Sequence, residues 1–337
     1  MSTHSVITAS DPGAAAGDAA KSTGVVPSRA RSRSARRPGA GGRGSGRRSR
    51  ATTSPLVTRL ALVPALVLLA VFVLGAIVQT VRISTTDWVG FGPMHSVGLD
   101  NYRTVLKSSD TYQSLGVTLV YAAASAVATI VISSLLAAAV SHGVKGGRFY
   151  RVIWFLPGVA PAAAVSIFWT ASFQPHSGGV NQVLGQIGLG NAHAWLGDAS
   201  TAVWPVVFVT VWAGVGFAFL LLLGAMEQVP VSIYEAARID GASTARQFFS
   251  MTLPMIRPVF VMTALLEFMW AFNGFTTVWA MTQGGPGTAT SILPVRIYRE
   301  ALLKGQFGPA SALAVLSAVV LIAVGLVGVR ASRSKEA

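Results

Sequence analysis

Apolar residues in this chain gather in long unbroken runs instead of alternating with polar ones. Six runs stand out, at residues 60–81, 115–140, 149–173, 202–223, 259–281 and 309–329. Each is long enough to cross a hydrocarbon layer of about 30 Å as an α-helix rising about 1.5 Å per residue. The pattern predicts an all-α polytopic membrane protein with six transmembrane helices.

Composition agrees: 52% of the 337 residues are hydrophobic and 11% are charged, where a soluble domain carries about 25% charged residues. The formal net charge of +14 suggests a nucleic-acid partner at first sight, but eleven of the 26 Lys/Arg lie within residues 1–59. There Arg29, Arg31, Arg33, Arg36, Arg37, Arg43, Arg47, Arg48 and Arg50 sit among Ser, Ala, Gly and Pro. With little to bury, residues 1–55 read as a disordered Arg-rich cytoplasmic tail. Such a tail either attracts anionic headgroups or simply enforces topology; neither reading makes nucleic acid a partner. A cleaved signal peptide is not expected, since the basic region is too long.

The chain has no cysteine, which excludes disulfides, thiolate metal sites and cysteine nucleophiles. His4, His95, His142, His176 and His193 show no metal-ligand spacing, so neither a metal nor a cofactor is expected on this subunit.

Basic residues set the orientation. With the N-terminus inside, the cytoplasmic side holds twenty Lys/Arg, including Lys145, Arg148, Arg151, Arg238, Arg246, Arg257, Arg330, Arg333 and Lys335. The outside holds Arg82, Arg103, Lys107, Arg296, Arg299 and Lys304. Both termini are therefore expected in the cytoplasm of a cell that carries this multi-pass protein in its inner or plasma membrane. The short external segments, 82–114 and 174–200, are too small for a folded domain, and Trp195 in the second is an interfacial anchor. Capture of a solute must fall to another chain.

The cytoplasmic loop 225–258 is the most informative stretch of the 56–330 transmembrane region; residues 331–337 form a short C-terminal tail. Pro230 opens a helix over 231–239, and Gly241 suits the left-handed residue that closes one. A second short helix from Ser243 to about Met251 is expected to bury Phe248, Phe249 and Leu253, and Pro254 to break the chain before span five. Two helices joined at Gly241 make an elbow. Ala236, Ala237 and Ala242 keep its surface low, while Glu235, Arg238 and Asp240 charge its rim. A stiff knob with few rotamers to freeze suits docking.

Glu235-Ala236-Ala237, Asp240-Gly241-Ala242 and Leu253-Pro254 resemble the EAA loop of binding-protein-dependent ABC importer permeases. Phe272-Asn273-Gly274-Phe275 and Thr282-Gln283-Gly284-Gly285-Pro286, with Thr290, Leu293, Tyr298 and Ala301, are similar to the carbohydrate permeases of the maltose, glycerol-3-phosphate and trehalose type. Gly98-Leu99-Asp100-Asn101-Tyr102 fits the same group. The likeness spans about residues 56–330. It departs from the group at Thr276, where Asp is common, and lacks a long external insertion.

The resemblance implies a type I importer permease fold and a subunit forming half of a sugar pathway. The implied partners are a second homologous permease subunit in a heterodimer, two ATPase subunits that bind ATP and Mg, an extracytoplasmic solute-binding lipoprotein and a sugar substrate. Glu235, Ala236, Ala237, Arg238, Asp240, Gly241 and Ala242 would couple this chain to the ATPases. With no Gly-x4-Gly-Lys-Ser/Thr loop, the chain is not itself expected to be an enzyme.

Span five carries Glu267, the one acidic residue well inside a span. An intramembrane carboxylate is costly and marks a site unless it is hydrated or paired at the helix end. On a helical wheel Glu267, Trp270, Gly274, Thr277 and Met281 share a face, with Asn273 at its edge. A carboxylate, an aromatic face and a hydroxyl suit a sugar. Trp212, Gly214 and Gly216 in span four serve equally well as close-packing residues. Two other classes remain: a secondary transporter, which favours internal repeats and midplane ion ligands, and a membrane-embedded enzyme, for which no constellation is evident.

Overall fold

The transmembrane helices form where the apolar runs place them, but two of the six break. The structure is a computed structural model that describes residues 63–64, 66–141, 146–189 and 192–333. The expected Arg-rich tail, 1–55, and residues 334–337 of the C-terminal tail lie outside the described residues. All described residues fall within one compact unit, Arg59–Ala337. Among them the only non-helical pairing is a single bridge between Thr86 and Ser96, so the all-α expectation holds.

Four helices are long and apolar enough to cross a membrane whole: α1 (Leu66–Ile83), α3 (Ser109–Ser141), α7 (Val203–Met226) and α13 (Phe307–Arg330, continuing to Arg333). A short α2 (Asp100–Lys107) precedes α3. The third span divides into α4 (Gly147–Val159) and α5 (Ala162–Ser172), bent by 91°. The expectation of one continuous helix over 149–173 is corrected at Ala160 and Pro161, both extended, with ψ of 143° and 125°. Proline disfavours helical backbone in the residue before it, and Pro161 does so to Ala160. A small helix α6 (Gly179–Gln186) follows outside the span.

After α7 come α8 (Val231–Ile239) and α9 (Thr244–Met255), then α10 (Arg257–Phe272), which meets α9 at 81°. Pro254 lies inside α9; the chain turns instead at Ile256, with Pro258 in the first turn of α10. The fifth span also stops short, because Asn273 and Gly274 separate α10 from α11 (Phe275–Thr282). A Cβ on Gly274 would lie 2.8 Å from the Tyr121 hydroxyl oxygen. The loop then leads through α12 (Leu293–Tyr298) and a π-turn to α13.

At the centre, α3, α7 and α10 pack on one another. The inward seam of α3 is hydroxylic: Thr111, Ser114, Thr118, Ser125, Thr129 and Ser133, all buried, recur at intervals of three, four or seven. Small polar side chains let helix backbones approach closely and bond across the gap. Ser133 Oγ donates to the Val215 carbonyl at 2.9 Å, and Thr118 Oγ1 accepts from the Leu293 N–H at 2.8 Å. Glycine serves α4 on α7 in the same way. A Cβ on Gly216 would run into the Trp154 carbonyl, and one on Gly158 would stand 2.8 Å from the Ala213 carbonyl.

The helices alternate between two ends of the bundle. At one end Asn101 Nδ2 donates to the carbonyls of Ser84 (2.9 Å) and Thr86 (2.7 Å), tying α2 to the end of α1 beside Gly308 of α13. At the other, Ser141 and Met226 close α3 and α7 beside Tyr234 of α8, and Ser332 of α13 lies near Phe249 of α9.

Candidate functional site

Two places gather the residues singled out by the sequence: an elbow at one end of the bundle and a cavity within it.

The elbow begins where Pro230, extended at ψ 132°, starts α8, the same Val231–Ile239 segment that the sequence predicts. Gly241 at φ +72° ends it. The Gly241 N–H donates to the Arg238 carbonyl (3.1 Å) and the Ala242 N–H to the Ala237 carbonyl (2.9 Å), a complete Schellman closure. Ser243 then caps α9, accepting from the Arg246 N–H at 3.3 Å. The two arms are laced together inside: Tyr234 and Thr252 hydroxyls lie 2.9 Å apart, and Gln247 Nε2 donates to the Ala242 carbonyl at 2.8 Å. Gln247 and Thr252 are both buried.

Glu235, Ala236, Arg238, Asp240 and Gly241 are exposed, with Ile239 86% exposed at the tip. Two expectations are corrected here. Ala237 is buried rather than part of the outer surface, and its carbonyl accepts the Ala242 N–H of the closing turn. Phe249 is 63% exposed rather than buried, since a π-turn over Phe248–Thr252 inserts an extra residue and rotates it outward. Ala242 is half-buried.

The cavity, of about 370 Å³, lies among α3, α4, α5, α7, α10 and α11. Glu267, Trp270, Gly274 and Thr277 all line it, joined by Tyr121 and Ser125 of α3 and Thr210 of α7. Glu267 is 6% exposed, makes no ion pair among the described residues, and its Oε1 is buried without a hydrogen-bond partner. It stands ten residues into α10, well beyond the first turn of that helix. Trp270 is half exposed, packing one face on Phe217 with ring centroids 5.0 Å apart.

Asn273 does not join them. It lines a separate cavity with Ser317 and Tyr298, and its Nδ2 donates back to the Met269 carbonyl. Met281 packs in the core. Gly214 faces the cavity, where a Cβ would come within 3.0 Å of Glu267 Oε2. Gly216 serves helix packing and Trp212 stacks edge-on against Trp169 at 5.6 Å. Sequence reading missed Tyr121, Ser125 and Thr210. The signal for Tyr121 and Ser125 was the periodic hydroxylic seam of α3, which the high overall hydropathy of that run concealed; Thr210, alone on α7, had none.

Comparison with known proteins places the chain. The model of the family described as "Binding-protein-dependent transport system inner membrane component" matches residues 129–334. The chain belongs to this family. Similar relatives include the probable ABC transporter permease protein YurN of Bacillus subtilis (strain 168), 34% identical over 80% of this chain and 94% of its own. The diacetylchitobiose uptake system permease protein NgcF of Streptomyces coelicolor is 36% identical over 78% of each. The sn-glycerol-3-phosphate transport system permease protein UgpA of Escherichia coli (strain UTI89 / UPEC) is 33% identical over 75% of this chain and 85% of its own. A crystal structure of a bacterial ABC transporter involved in the import of the acidic polysaccharide alginate superposes with a TM-score of 0.73, at 20% identity over 84% of this chain and 96% of that one. At that identity the likeness concerns the fold alone, and it agrees with the expected importer-permease architecture. The permease is thus a multi-pass membrane component of an ABC transporter, and its relatives are named as transport subunits rather than enzymes.

Proposed function

We propose that this permease forms half of the translocation pathway of an ATP-driven sugar importer and is driven through the 231–255 elbow. The observation that carries the reading is the elbow itself: two arms locked by a left-handed glycine and an internal hydrogen-bond lattice, with an exposed rim of Glu235, Ala236, Arg238 and Asp240. A braced knob of this kind transmits displacement without first losing it to side-chain ordering. On this reading Gly241 and Ala242 fix the angle of the elbow, Ala237 braces it from within, and two ATPase subunits receive its rim and bind the ATP and Mg.

The elbow gathers with the ends of α3, α7 and α13. That end carries Arg148, Arg151, Arg238, Arg246, Arg257 and Arg330, and the positive-inside rule makes it cytoplasmic, with both termini. The relatives named for diacetylchitobiose and for multiple-sugar uptake support a carbohydrate cargo. Glu267, Trp270, Gly274 and Thr277 form this subunit's share of the pathway wall. A homologous permease subunit completes it, and an extracytoplasmic binding protein delivers the solute.

Purification of the tagged permease from its native membrane tests the reading. ATPase subunits should co-purify, and the complex with its binding protein should hydrolyse ATP faster when given one of a panel of mono-, di- and oligosaccharides. Recovery of the permease without any ATPase subunit, after mild detergent and crosslinking, refutes it.

A further inference from the structure

Glu267 is the one charged group among the described residues that line the membrane cavity. Two polar atoms in that wall lack partners. Glu267 Oε1 on α10 and Ser125 Oγ on α3 are both buried with no hydrogen bond. The Tyr121 hydroxyl nearby is already committed to Thr210 Oγ1 at 2.6 Å. Buried polar atoms are normally paired, and ionisable groups within a membrane normally find a countercharge. None of the basic residues of the described chain lines that cavity; they lie towards the two ends of the bundle, with Arg82, Arg103, Lys107, Arg296, Arg299 and Lys304 in one set and Arg148, Arg151, Arg238, Arg246, Arg257 and Arg330 in the other. The wall therefore offers a carboxyl acceptor, a spare hydroxyl and the face of Trp270, with no cation to receive an anion.

We infer that this subunit selects its cargo by charge: it takes a non-anionic saccharide whose hydroxyl or amino hydrogens donate to Glu267, and it rejects sugar acids and sugar phosphates. The inference rests on the sugar-importer reading above and narrows it. The similar proteins do not make that choice, since one is named for sn-glycerol-3-phosphate and another for the acidic polysaccharide alginate. The physical basis is direct. A second negative charge about 6 Å from a carboxylate, at an effective dielectric constant of about 20, binds roughly a hundredfold more weakly than its neutral counterpart. Donor hydrogens on a neutral ring instead bond to the carboxyl where Glu267 lines the cavity.

The test uses the whole transporter, with its partner permease and ATPases, in nanodiscs without binding protein, so that only the membrane site is read. Equilibrium binding is measured for radiolabelled cellobiose and maltose, each also as its 2-amino and its 6-uronate derivative. The neutral and amino forms of at least one scaffold should bind, and its uronate should bind at least about tenfold more weakly, allowing for screening by water in the open cavity. Glu267→Gln should weaken the neutral sugar somewhat and bring the uronate to within threefold of it. A wild-type uronate affinity within threefold of the neutral parent overturns the inference while leaving the sugar reading intact. Binding by none of the six solutes overturns both. Undiminished discrimination in Glu267→Gln removes Glu267 as its source. The wild-type comparison stands by itself if the variant does not assemble.

Discussion

Gly241 offers a graded test of the elbow. Its φ is +72°, and a Cβ built there meets nothing within 4 Å, so alanine brings backbone strain and no clash. That strain is about 1–2 kcal/mol for an L-residue in the left-handed region. Asparagine, which visits that region more readily, should lose less. Proline cannot reach it, because its ring holds φ near −65°. It also removes the N–H that bonds the Arg238 carbonyl at 3.1 Å, a further loss of about 1 kcal/mol. A local penalty of 1–2 kcal/mol shifts the occupancy of the native elbow about 5- to 30-fold. The expected order of transport is therefore wild type, Gly241→Asn, Gly241→Ala, Gly241→Pro, the last close to nil. Transport into proteoliposomes and ATP hydrolysis are measured together, with membrane insertion followed by protease protection. ATP hydrolysis should become independent of solute in the proline variant while insertion stays normal. Wild-type transport by Gly241→Pro, or alanine falling below proline, would refute the argument that elbow geometry couples the two activities.

Glu235→Lys reverses an exposed rim charge; transport should fall at least tenfold at unchanged insertion, read in the same proteoliposomes. Gly216→Ala places a methyl against the Trp154 carbonyl, whereas Gly224→Ala enters open space. Overpacking of about 1–3 kcal/mol should lower the melting temperature of the purified protein for the first and leave the second unchanged. Asn101→Ala leaves the carbonyls of Ser84 and Thr86 without their buried donor; a loss of about 1–3 kcal/mol should appear as a lower melting temperature and faster proteolysis between α1 and α2.

Much of the elbow was legible because local chemistry dictates it. Pro230, Gly241 and Ser243 each act through their own backbone or a neighbour's, so helix, turn and cap follow from sequence alone. The outward rotation of Phe249 was not legible, since a π-turn depends on what holds the arms together, here Thr252 bonded to Tyr234. Hydropathy located six apolar runs but not the bends at Ala160–Pro161 and Asn273–Gly274, because an apolar run reads the same whether helical or broken. Pro161 was the available clue to the first bend. At the second, where the helix is interrupted, Tyr121 from far away in sequence lies so close to Gly274 that a Cβ there would stand 2.8 Å from its hydroxyl. A helical wheel drawn across 267–281 gathers Glu267, Trp270, Gly274 and Thr277, whereas Asn273 lines another cavity and Met281 packs in the core.

Helix α10 starts at the turn from the elbow and holds Glu267 ten residues on, about 15 Å along one uninterrupted rod. On the proposed reading, drive train and cargo wall are cut from a single stick. An engineer wishing to give this transporter a new cargo by exchanging segments with a relative has two natural seams: Ile256, where the backbone turns by 81°, and Gly274, where the helix is interrupted. Exchange of the whole rod between them carries Glu267 and Trp270 across while leaving the elbow in its own register. A cut within the rod instead changes the angular phase between what is pushed and what is gripped whenever the donor segment differs by even one residue, about 100° per residue.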